Sequence, residues 1–165
     1  MAVTPIGPIS EIKHALRDMV AGLPAWRQLL ESYGVRDLPA DRIHLNAARL
    51  LEIDCETFPR AVVCLPEDAN RFEAVAGGGL ITLRPAGKLL LGFAVEAGPD
   101  PYSDDSATEF DNFIGAIWME LAELAGEDAV LGTVGLSWFV PPRITKPGEG
   151  HARQFWIAII VVDWE

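Results

Sequence analysis

Gln154-Phe155-Trp156-Ile157-Ala158-Ile159-Ile160-Val161-Val162-Asp163-Trp164 decides the fold of this chain. The apolar run from Phe155 to Val162 is far shorter than the ~20 residues a helix needs to cross a bilayer. It is rich in β-branched and aromatic residues, which suit a pleated strand. Alternation divides it into two sets, Phe155, Ile157, Ile159 and Val161 on one side and Trp156, Ala158, Ile160 and Val162 on the other. Both sets are apolar, so the strand is expected to be covered on both faces. A terminus built this way is expected to be a central or interface strand. One face can pack on a helix. The other needs cover from the N-terminal helices or from another subunit.

Working back from this strand, Thr133 to Val140 reads as its partner. Pro141 to Ala152 reads as a long polar loop between the two. With the adjoining Arg153, that loop carries Arg143, Lys146 and His151 on an otherwise acidic chain. Loops of this length are uncommon in compact domains unless they serve a function or stay disordered. Arg143, Lys146, His151 and Arg153 are therefore the candidate subunit-interface residues, set against the plainer reading of an ordinary hairpin loop.

The helix before this pair is the clearest element. Phe110, Phe113, Ile114, Ile117, Trp118, Leu121 and Leu124 recur at helical spacing and form a wide apolar stripe. Ser106-Ala107-Thr108-Glu109 has capping-box form, and Gly126 is the expected stop. Further back, 79–84 and 88–96 read as two strands joined in a hairpin by Pro85-Ala86-Gly87. Pro59 to Pro66 reads as a strand bracketed by prolines, and Glu67 to Asn70 as a turn. At the start, residues 1–9 read as an irregular lead-in and 10–33 as a helical segment with Ser10 as N-cap. Gly22 and Pro24 break that segment, and the second helix buries Trp26, Leu29 and Leu30 before stopping at Gly34. Residues 35–58 stay open, with Ala47 to Ile53 either a helical turn or the start of a strand. The order predicts an α+β fold in a single domain, 1–165, whose core is 59–165. A mixed or antiparallel sheet of about four or five strands carries one long amphipathic helix, with short helices at the N-terminus.

The chain has 165 residues, half of them hydrophobic, and a net charge of −11. That charge disfavours binding to nucleic acid or to an anionic membrane, since both need Lys and Arg to neutralise phosphates. No basic, apolar leader opens the chain, so a cytoplasmic site of synthesis is the expected default. Cys55 and Cys64 match no zinc spacing, and two reduced or inert thiols are expected ahead of a disulfide. Asp100, Asp104, Asp105 and Glu109 lack the alternate-residue spacing of a calcium loop and are read as a solvated helix start. Gly77-Gly78-Gly79 precedes a strand and lacks a following Lys-Ser/Thr, so it is read as a connection and not a phosphate cradle. His14, His44 and His151 share no ligand or triad spacing. No catalytic residue, cofactor or metal is expected.

From the helix at Ser10–Leu23, through the strand at Pro59–Pro66 and the hairpin at Leu80–Glu96, to the helix at Ser106–Ala125 and the closing pair Thr133–Val140 and Gln154–Trp164, the order of elements resembles the tail-terminator, or tail-completion, proteins of long-tailed bacteriophages and prophages. The resemblance implies a non-enzymatic structural protein that forms a homo-oligomeric ring, often a hexamer. Such a ring meets tail-tube or head-connector proteins and ends in the virion tail. The rival expectation is a small enzyme or ligand-binding domain with a pocket between sheet and helix, using Asp104, Asp105 and His151.

Overall fold

Phe155–Trp164 is a strand in the computed structural model, and it lies one place in from the sheet edge. The structure describes residues 8–50, 58–65, 71–77, 80–124, 134–146 and 153–164. In chain order these form α1 (Pro8–Gly22), α2 (Pro24–Ser32), β1 (Ile43–His44), β2 (Arg60–Cys64), β3 (Arg71–Gly77), β4 (Leu80–Glu96), α3 (Asp104–Leu124), β5 (Val134–Thr145) and β6 (Phe155–Trp164). Two 3-10 turns, Pro39–Arg42 and Ala47–Arg49, flank β1. The sheet order is β1-β2-β4-β6-β5, with β3 attached to β4 outside this path. Among the described strands β1 and β2 run parallel and the other pairs antiparallel, so the sheet is mixed and the fold α+β. Among the described residues no helix is long and apolar enough to cross a membrane.

The two side-chain sets of β6 lie in different cores. Trp156, Ala158, Ile160 and Val162 join Leu89, Leu91, Phe93 and Val95 of β4 beneath all three helices. Helix α3 contributes Phe110, Ile114, Ile117 and Leu121 from its stripe, α1 contributes Ile12, Leu16 and Val20, and α2 contributes Trp26 and Leu30. Burying each such side chain is worth about 1.5–3 kcal/mol against leaving it in water. Phe155 and Ile157, on the other side, join Val62, Ala94, Leu50 and Phe58. The N-terminal helices therefore share the α3 face, which corrects the expectation that they could cover the second face; there Leu50 and Phe58 lie over Phe155 and Ile157.

Local signals fix the helix ends. Leu23, at the N-cap of α2, offers no side-chain cap. Instead the Ala25 amide donates to the Glu120 carboxylate of α3, at 3.0 and 3.2 Å, so a distant acid caps α2. At its other end the Gly34 amide reaches Glu31 O and the Val35 amide reaches Leu30 O, with Gly34 at φ +69°. That is a Schellman stop, and glycine adopts its left-handed backbone at no steric cost.

Several expected boundaries change. Helix α1 starts at Pro8, within the expected lead-in, so Ser10 lies inside the first turn, where a proline is tolerated because its missing amide has no partner there. Ser103, not Ser106, caps α3: its Oγ accepts from the Ser106 amide at 3.1 Å. Pro85-Ala86-Gly87 is not a turn. The two expected strands are one strand of 17 residues, and its hairpin partner is β3. Around Pro85 the strand pairs with β3 alone among the described residues, so the missing proline amide costs no described ladder bond on the other side. Ala47–Arg49 is a 3-10 turn, capped by the Asn46 side chain, which accepts from the Ala48 amide at 3.1 Å. The expected turn at Glu67–Asn70 and stop at Gly126 lie outside the described residues.

Candidate functional site

Strand β5 closes the sheet, and its outer edge has no strand beside it among the described residues. It runs 12 residues, through Thr145, so the expected Pro141–Ala152 loop is shorter than its sequence suggests. Register breaks between Trp138 and Val140 and between Val140 and Arg143 bulge the strand around Phe139 and the Pro141-Pro142 pair. Phe139 is 60% exposed and Trp138 46% exposed. The Trp138 ring rests on Trp118 of α3, centroids 4.6 Å apart, so edge and helix share an aromatic border.

The four basic candidates separate. Arg143 is exposed on β5, level with Ile157 of β6, and Lys146 is exposed just past the strand. Arg153 turns inward. Its guanidinium donates to both Glu96 carboxylate oxygens at 2.8 Å and lies 5.3 Å from the Phe155 ring centre and 5.6 Å from that of Phe58. This clasp holds Glu96 below the usual carboxylate range, chiefly through the Arg153 hydrogen bonds, with burial opposing. Beside it Arg60, fully buried, donates to Arg49 O and lies 4.0 Å over the Phe58 ring. Arg153 thus serves the chain's own second face, and His151 lies outside the described residues.

The β3–β4 ribbon leaves the sheet beyond Gly87, and among the described residues β4 is the only element that β3 pairs with. Its register opposes Phe72 to Pro85, Glu73 to Arg84, Ala74 to Leu83, Val75 to Thr82 and Ala76 to Ile81.

A cleft of about 660 Å³ opens where the C-terminal end of α2, the end of β4 and the first turns of α3 meet. Phe110, Phe113 and Trp156 line it, as do Glu96, Asp100, Asp105 and Glu109. The Trp156 indole N–H donates to Ser106 Oγ at 2.9 Å, and the Tyr33 hydroxyl donates to Glu96 O at 3.4 Å. Burial first, then the charges of Glu109 and Glu96, pushes the Tyr33 hydroxyl up. A tyrosine shifted this way stays protonated, which suits a donor and not a base. No histidine or cysteine lines the cleft among the described residues. Carboxylate and hydroxyl oxygens stand around its aromatic walls.

Of the acids weighed for an enzyme, Asp105 reaches the cleft, while Asp104 is exposed in the first turn of α3. His14 bonds to Ser10 O at 2.7 Å on α1, and His44 lies on β1. Cys64 is a free, half-buried thiol pushed up by burial, against the pull of Lys13. Cys55 lies outside the described residues. Among the described residues no three His, Cys, Asp or Glu gather where they could hold a metal ion. Sequence reasoning missed Tyr33, Glu96 and Trp156 as neighbours. The one usable signal was Gly34, which ends α2 and so sets Tyr33 at its rim. No protein-family model matches the chain, and no curated protein matches it.

Proposed function

We propose that this chain is a non-enzymatic assembly subunit that joins copies of itself into a closed ring, in the manner of the phage tail-terminator proteins it resembles. The open edge of β5, with Trp138 and Phe139 exposed upon it, carries the reading. An unpaired edge offers a row of amides and carbonyls to another strand, and here the bulges and the Pro141-Pro142 pair interrupt that row in the second half of β5. Here the edge carries aromatic residues, the type enriched where subunits meet. The β3–β4 ribbon supplies a different surface on the same chain, and a two-stranded ribbon is marginal by itself. Two unlike surfaces meeting between neighbours give a head-to-tail contact, which closes into a ring when the rotation allows.

In this reading the ring is a hexamer, as often in that family, assembled in the bacterial cytoplasm and carried into the virion tail between tail-tube and head-connector proteins. The charge of −11 suits a passage for DNA that must not grip phosphates. Arg143 and Lys146, exposed beside the edge, are the basic groups that meet the neighbouring copy.

Light scattering and negative-stain imaging of the full chain test this. The wild type should give closed rings. Phe139→Lys, at an exposed position, should give monomers with an unchanged circular dichroism spectrum. A wild type that stays monomeric, alone at high concentration and mixed with tail-tube protein, overturns the reading.

A further inference from the structure

We draw no further inference here: the strongest candidate, the exposed row of Asp111, Gly115, Met119 and Glu123 along the solvent side of α3, is an unpartnered helix face and nothing in the structure shows what covers it.

Discussion

The two faces of the sheet carry similar apolar alternation and use it differently. On one, Leu89, Leu91 and Phe93 of β4 and Trp156, Ala158 and Ile160 of β6 lie beneath three helices, with the Trp26 ring 5.7 Å from Phe93 and 6.5 Å from Phe113. On the other, Leu50 and Phe58 lie over Phe155 and Ile157. There aromatic rings carry guanidinium groups: Phe58 lies 4.5 Å from Phe155, and Arg60 and Arg153 lie against them. Helices bring a whole stripe of apolar residues at once. Leu50 and Phe58 bring two, and the carbon stems and flat heads of arginines lie beside them. Apolar alternation in a strand thus announces that both faces are covered, without saying by what or how thickly.

That difference can be broken most severely from the helix side. Trp26→Ala empties the centre of the three-helix core and strands the Pro39 carbonyl that accepts the indole N–H at 3.0 Å. It should cost about 3–5 kcal/mol, read from urea midpoints at constant slope. Phe58→Ala on the thinner face should cost less, about 3 kcal/mol. If Phe58→Ala proves the costlier of the two, the second face is no minor cover and the contrast is wrong.

A smaller effect sharpens the same contrast from within the sheet. Gly92 of β4 lies between Leu90 and Ala94 on the second face, and a Cβ there would stand 3.1 Å from Val62 Cγ2 and 3.2 Å from Leu50 Cδ2. Glycine leaves the room that Leu50 occupies. Gly92→Val should therefore destabilise by about 1–3 kcal/mol through overpacking. A thermal melt that shows stabilisation would mean Leu50 can give way and the cover is loose.

The smallest effect concerns the rim. Glu96→Gln removes one arm of the Arg153 clasp, whose side chains are 42% and 33% exposed. Screening at that exposure limits the loss to about 0.2–1 kcal/mol. The sign follows from the depressed carboxyl. The pair stabilises the fold above the ordinary glutamate range and ceases to do so as pH falls through the lowered folded value. Wild type and variant should therefore differ at neutral pH and converge in acid, and a gap that persists at low pH would assign the cost to packing.

The elements legible beforehand were those whose signal lies in adjacent residues. The stripe on α3, the Gly34 stop and the β-branched run at β6 all depend on local period or local backbone freedom. Pro85-Ala86-Gly87 misled for the same reason: as a local pattern it is a turn. It runs on as strand because Pro85 and Ala86 pair with Phe72 and Arg71 of β3, and Gly87 with Trp164 of β6. The candidate site was less legible. Asp105 and Glu109 could be named as a helix start, but nothing adjacent in sequence links them to Tyr33, Glu96 or Trp156.

By itself, then, the sequence determined an α+β chain with a long amphipathic helix and an apolar final strand, because period and propensity belong to contiguous residues. Tertiary structure alone decided that all three helices share one face, that Glu120 caps α2, that Arg153 turns inward to Glu96, and that a cleft opens at Trp156. Each of these joins residues tens of positions apart, and such pairs form only when burial of the whole core outweighs the entropy of closing the chain between them.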